Sequence, residues 1–232
     1  MRKIAVIDGH PDPDRAHLDH ALADRYTQAA RAAGHEVRRV NVAELNIPVL
    51  RVPSEFISGE APREIADAQR DITWADHLVF VFPLWHGYMP AYFKAFIEQV
   101  FRPGYAMAYN AKGFPKQLLD PKSARVIVTM GMPAFFYRGY FGAHGLKAFE
   151  HSVLGFAGIA PIHTTLLGGV GEVSPGKADH WLAQVDELAQ HDGEEPAPER
   201  VRLLPKIAKT ATVIAGVSAA GIAAWRYAAS RR

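Results

Sequence analysis

The chain alternates between short runs that are apolar at every position and longer stretches with apolar residues three and four apart. Leu78-Val79-Phe80-Val81-Phe82 and Val126-Ile127-Val128 show no polar alternation at all. A strand with one wet face would alternate, so these runs belong to strands covered on both faces. The pattern predicts strands near 3–7, 36–42, 77–82, 125–130 and 160–167, and helices near 17–33, 62–75, 90–101, 144–156 and 176–190. A helix after every strand implies a parallel sheet with right-handed crossovers and helices on both faces. Two long connections, 43–61 and 102–123, interrupt the rhythm, and loops of that length in a compact domain are often functional. Gln190 to Pro198 is polar and proline-containing. The organisation expected is a domain over 1–192, a linker over 193–205 and a basic-flanked apolar helix over 206–232.

For five parallel strands the natural order is 2-1-3-4-5, the flavodoxin-like α/β arrangement, in which a ligand sits at the carboxyl ends of the strands. Three segments fall at that edge. After strand one comes Asp8-Gly9-His10-Pro11-Asp12-Pro13-Asp14-Arg15-Ala16-His17. A turn from a buried strand into a helix favours phosphate through backbone N–H groups and the helix dipole. His10, Arg15 and His17 can add donors, although three aspartates also suit a plain capped turn. After strand three comes Pro83-Leu84-Trp85-His86-Gly87-Tyr88-Met89-Pro90. Trp85 and Tyr88 can stack a planar ring there, and Gly87 permits close backbone approach; an aromatic cap on the sheet would look the same. After strand four, Thr129-Met130-Gly131-Met132-Pro133 leads into Phe135-Phe136-Tyr137-Arg138-Gly139-Tyr140-Phe141-Gly142-Ala143-His144-Gly145. A tyrosine hydroxyl and an imidazole can hydrogen-bond an anionic ring and relay a proton, or merely pack and cap.

Composition narrows the chemistry. With no cysteine, disulfides, zinc-thiolate sites, iron–sulfur clusters and a catalytic thiol are excluded, so redox work requires an organic cofactor. The absence of cysteine fits the cytoplasm, and Asp8 cuts the first apolar run too short for a signal peptide. The net charge of +2 is unevenly spread. From Pro196 onward seven Lys/Arg stand against Glu199 alone, which leaves residues 1–198 at −4. No nucleic-acid partner is expected of such a domain.

Taken together, GHPDPD after the first strand, PLWHGYMPAYFKAFIEQVF and VTMGMPAFFYRGYFGAHG resemble the flavodoxin-fold NAD(P)H:quinone oxidoreductase family, over about residues 3–190. That family includes quinone reductases, modulator-of-drug-activity proteins and ancillary subunits of potassium efflux systems. The resemblance implies a flavin at the three strand ends, with NAD(P)H as co-substrate and a quinone-like acceptor following it in a ping-pong cycle. It places His10, Arg15, His17 and Leu18 by the flavin phosphate. Pro83, Leu84, Trp85, His86 and Gly87 lie along the ring, and Thr129, Met130 and Gly131 at its pyrimidine edge. Tyr137 and His144 match the catalytic tyrosine–histidine pair. The family usually opens helix one with Ser/Thr, a bulky apolar residue and Asn, where this chain has Ala16-His17-Leu18-Asp19. The segment 102–123, with Tyr105, Tyr109 and Lys112-Gly113-Phe114-Pro115, looks like the FAD-using branch, which favours FAD over the alternative FMN. The resemblance also implies a homodimer. A flavin-binding regulatory subunit of a membrane transporter is the alternative function, and an electron-carrier flavodoxin a third.

The C-terminal segment carries no charge from Thr210 to Trp225. Those sixteen residues would reach about 24 Å as a helix, against a hydrocarbon core of about 30 Å. Ile207 to Ala228 would reach about 33 Å if Lys209 and Arg226 snorkel. Membrane association through 207–228 and a soluble docked helix are both expectations open to this sequence.

Overall fold

The computed structural model describes residues 1–57, 59–109, 115–119, 121–171 and 174–194. Strands β1 (Lys3–Asp8), β2 (Glu36–Asn41), β3 (His77–Pro83), β4 (Met107–Tyr109), β5 (Pro115–Gln117), β6 (Lys122–Met130) and β7 (Ile159–Gly168) occur with helices α1 (Leu18–Ala32), α2 (Pro53–Ile57), α3 (Arg63–Trp74), α4 (Ala91–Val100), α5 (Ala134–Gly139), α6 (His144–Ala148) and α7 (Pro175–Glu194). Five strands form one parallel sheet in the order β2-β1-β3-β6-β7, while β4 and β5 pair as a separate antiparallel hairpin. Discounting that hairpin, this is the 2-1-3-4-5 order expected from the strand–helix alternation.

Both faces of the sheet are covered, which is why its central strands are apolar throughout. Ala5, Ile7, Leu78, Phe80, Phe82, Val126, Val128 and Met130 point to a core built with α3 and α4. Ile4, Val6, Val79, Val81 and Ile127 point to the other, built with Leu22, Ala23 and Tyr26 of α1 and Trp181, Val185 and Ala189 of α7. Each such side chain contributes about 1.5–3 kcal/mol by leaving water.

Several details depart from expectation. The helix predicted over 144–156 is α6 followed by a seven-residue π-helical stretch, Phe149–Gly155. The connections also hold two short helices, α2 and α5, that apolar periodicity is too brief to reveal. At the far end, α7 runs to Glu194, two residues into the segment expected to be linker. Its Asp192 is fully buried. The carboxylate accepts from Arg125 through Nε (2.8 Å) and Nη2 and from the Tyr26 hydroxyl (2.9 Å), while Arg2 donates to the Asp192 carbonyl at 2.6 Å. The guanidinium of Arg125 and the His77 ring hold this carboxyl well below the usual carboxylate range, against the upward push of burial. The remaining linker and the apolar helix expected over 206–232 lie outside the described residues. Among the described residues no helix is long and apolar enough to cross a membrane.

Candidate active site

The carboxyl ends of β1, β3 and β6 open into three neighbouring loops. They are tied to one another by bonds within the protein. The Leu84 N–H donates to the Thr129 carbonyl (2.7 Å), the Gly9 N–H to the Val81 carbonyl (2.7 Å), and the Thr129 hydroxyl lies 3.0 Å from both carboxylate oxygens of Asp19. Parallel register sets this up, because Thr129 lies level with Pro83 and Asp8 with Val81.

The loop after β1 folds around its own aspartates. The Asp14 N–H donates to Asp12 and the Ala16 N–H to Asp14, each at 3.0 Å. His10 is buried and its ring stacks on His17, centroids 4.0 Å apart. Both rings meet Asp12, His10 Nδ1 at its carbonyl and His17 Nε2 at its carboxylate. Desolvation is the main reason the His10 pKa is lowered, which leaves that ring neutral near pH 7. Arg15 is exposed and pairs with Asp24, with Asp8 at 3.8 Å. Asp8 itself is buried and accepts from His20 Nδ1 (2.7 Å) and Arg39 (3.0 Å). The residue before α1, His17, makes no side-chain cap, and while the Asp19 N–H bonds its own carboxylate, the first-turn N–H groups of Leu18 and His20 are left to an anion. Leu18 is half-buried against the α1–α7 core and can offer only its backbone.

The loop after β3 is a two-residue turn. Trp85 and Tyr88 exchange N–H···O bonds of 2.8 and 2.9 Å, with φ positive at both central residues, His86 (49°) and Gly87 (78°). The N–H groups of His86 and Gly87 therefore lie outside the turn's own bonds. Pro83 is buried and Leu84 half-buried, whereas Trp85 is 49% exposed and His86 is exposed. A side-chain carbon added at Gly87 or at Gly131 would meet nothing within 4 Å, so the backbone at the ends of β3 and β6 faces open space. Gly131 is exposed, but Met130 next to it is buried in the α3–α4 core and offers only backbone.

Tyr137 sits on α5 with its ring buried. Its hydroxyl donates to the Gly87 carbonyl (3.1 Å) and accepts from the Leu146 N–H (3.3 Å). The single hydroxyl proton is thus already placed. Gly145 lies so close to the Gly87 carbonyl and the Tyr88 ring that any larger residue would clash. His144 opens α6 with its side chain exposed. Phe136, Tyr140 and Phe141 form an exposed cluster in which Phe136 and Tyr140 stack at 5.0 Å, and Phe135 is exposed as well.

Sequence reasoning passed over Asp19 except as a departure from the family pattern, read Asp8 only as part of the turn after strand one, and passed over His20 and Arg39 entirely. Nothing local marks them, because each finds its partner on another element. The described parts of 102–123 are anchored at the opposite, amino edge of the sheet. Tyr105 donates to the Gln69 carbonyl within α3, Lys122 to the Thr73 carbonyl at the end of α3 (3.0 Å), and the Leu119 N–H to the Ala157 carbonyl just before β7.

A flavin fits the donor set at the carboxyl edge. A helix N-terminus and two histidines suit its phosphate, while exposed Trp85 and open backbone at Gly87 and Gly131 suit a flat ring. Residues 2–191 match the model of a family described as having a flavodoxin-like fold. The chain is 31% identical over 179 residues to the FMN-dependent NADH:quinone oxidoreductase of Shewanella amazonensis, covering 72% of this chain and 88% of that one. It is 25% identical over 216 residues to a protein of the same name from Exiguobacterium sp., covering 85% and 98%. Among solved structures, the NAD(P)H:quinone oxidoreductase from Methanothermobacter marburgensis superposes with a TM-score of 0.70 at 21% identity, over 82% of this chain and 98% of that one, a likeness of fold.

Proposed function

The chain belongs to the flavodoxin-like fold family, and from that premise we propose that it is a flavin-dependent oxidoreductase that uses FMN to carry electrons from NADH to a quinone-like acceptor. The observation that carries this is the cross-braced carboxyl edge, with an uncapped helix N-terminus at one end and exposed Trp85 beside open backbone at the other. FMN replaces the FAD expected from residues 102–123. The described parts of that segment are anchored at the far edge of the sheet, and the relatives carry FMN in their names. A bound flavin would accept a hydride and release two electrons; the protein orients it and tunes its charge.

In this reading the start of α1, with His10 and His17, holds the phosphate, and Arg15 adds charge at the rim. The N–H groups of His86 and Gly87 and the backbone at Thr129, Met130 and Gly131 meet the polar edge of the ring. Pro83 and Leu84 set the floor behind them. Trp85 walls the slot that nicotinamide and acceptor occupy in turn. Tyr137 holds the turn at Gly87 in place, and His144, exposed at the rim, is the group able to move a proton. The homodimer belongs to this reading on the family resemblance.

The test is the visible spectrum of the purified full chain, with its cofactor released and identified by mass, followed by anaerobic titration with NADH and then a soluble quinone. FMN absorbance that bleaches with NADH and returns with quinone supports the proposal. A chain that binds neither FMN nor FAD refutes it. Binding without turnover in the absence of a partner would favour the regulatory-subunit alternative.

A further inference from the structure

Asp19 is a carboxyl group built into the first turn of α1, the turn whose N–H groups face the proposed phosphate position. It is 4% exposed and points inward, to the hydroxyl of Thr129 at the end of β6, 3.0 Å from each carboxylate oxygen. It receives that hydroxyl proton and its own backbone N–H, which is little for a buried anion. The groups around it do not neutralise it. From β1, Asp8 adds a second buried carboxylate, which raises the Asp19 pKa, and the basic groups nearby bond Asp8 instead: His20 of α1 through Nδ1, which offsets part of that rise, and Arg39 of β2 through Nη2, with Arg15 at 3.8 Å. Arg15 and Arg39 also engage Asp24, while His10 and His17 meet Asp12.

A phosphate monoester is close to a dianion above about pH 6. Seating it at the start of α1 adds negative charge beside a poorly solvated carboxylate. Unlike an exposed aspartate, Asp19 is not screened by water.

We propose that Asp19 is a positioning residue that must hold a proton when the flavin phosphate is bound, so that flavin binding takes up a proton and weakens as pH rises. The inference rests on the flavin reading above. It accords with the raised pKa of Asp19 in the ligand-free protein, about 7, caused first by desolvation and reinforced by Asp8. A bound phosphate raises it further. Affinity is then full below the ligand-free value, falls by up to about tenfold per pH unit above it, and levels off once the carboxyl is ionised in the complex as well.

The test measures FMN affinity of the flavin-stripped full chain by fluorescence quenching from pH 6.5 to 8.5. Proton uptake is read by calorimetry in buffers of different ionisation enthalpy. Riboflavin, which lacks the phosphate, is the control. The expected result is FMN binding that weakens about tenfold or more across the range with net proton uptake, while riboflavin changes much less. Asp19→Asn should bind FMN more tightly than wild type at pH 8.5 and lose most of the uptake. If it unfolds, Thr129→Val serves instead: removing the hydroxyl should move the fall in affinity to higher pH. An Asp19→Asn profile parallel to that of wild type would overturn the proposal. Absence of flavin binding by wild type at every pH would instead overturn the flavin reading itself.

Discussion

Asp192→Asn removes one negative charge from the interior with almost no change of shape. The carboxylate is fully buried and takes two N–H groups from Arg125, whose side chain is 7% exposed, together with the Tyr26 hydroxyl. An amide oxygen can still accept from Tyr26, so that bond survives. The loss falls on Arg125, whose guanidinium exchanges its two bonds to a buried carboxylate for bonds to a neutral amide. Breaking a buried pair from one side costs about 3–5 kcal/mol. For a domain of this size each kcal/mol lowers Tm by roughly 2–4 °C, so a fall of about 6–20 °C is expected. Urea denaturation followed by far-UV circular dichroism gives the free energy, with the flavin-stripped protein used throughout to keep ligand linkage out of the comparison. Adding Arg125→Met should recover part of the loss, a coupling that distant sites do not show. A loss below about 1 kcal/mol, or strictly additive single and double variants, would refute the view of Asp192 as the counter-charge of Arg125.

The ligand-free protein should also show the buried carboxyl of Asp19 in its pH profile. Its folded pKa is raised from 3.8 to about 7, so its favourable contribution is complete below the lower value and lost as pH rises through the higher. Asp19→Asn should then match wild type near pH 4 and exceed it at pH 8 by an upper limit on the order of 4 kcal/mol, and equal stabilities at pH 8 would contradict this. Tyr137→Phe should cost about 1–2 kcal/mol by freeing the Gly87 carbonyl and the Leu146 N–H, with kcat retained within a few-fold; a hundredfold loss of kcat at unchanged stability would make the hydroxyl a proton donor. Trp85→Ala should leave stability within about 0.5 kcal/mol, since the ring is half exposed, and raise the KM for quinone; an unchanged KM would remove Trp85 from the slot. Gly145→Ala should drive a methyl into the Gly87 carbonyl and Tyr88 and weaken flavin binding, which fluorescence titration would show.

The sheet was legible because its strands are apolar on both sides. The Phe80-Val81-Phe82 run has no other stable home than the middle of a covered parallel sheet, and β3 begins and ends within a residue of expectation. The three loops were legible for the same reason, because topology alone assigns them to one edge. What stayed hidden depends on partners far along the chain. Asp192 reads as one more acid in a polar, proline-bearing stretch; partners far along the chain, Arg125 at 67 residues and Tyr26 at 166, make it core. Asp19 reads as an ordinary first-turn acid until Thr129 is brought to it across 110 residues. Tyr137 was singled out for chemistry, and the bond from its hydroxyl to the Gly87 carbonyl, 50 residues away, has no local signal. The break of the 144–156 helix into a π-helical stretch has no periodic signature, since its apolar residues satisfy both windings.

The bonds that join the three loops involve only protein atoms: Leu84 to Thr129, Thr129 to Asp19, Tyr137 to Gly87. Nothing in that lattice waits for a ligand to complete it. A molecule arriving at the carboxyl edge therefore meets a finished surface and loses little to the ordering of chain. Capture should follow single-exponential kinetics whose rate rises linearly with ligand concentration, without the plateau that a slow rearrangement imposes, and differences in affinity among ligands should appear mainly in how fast they leave.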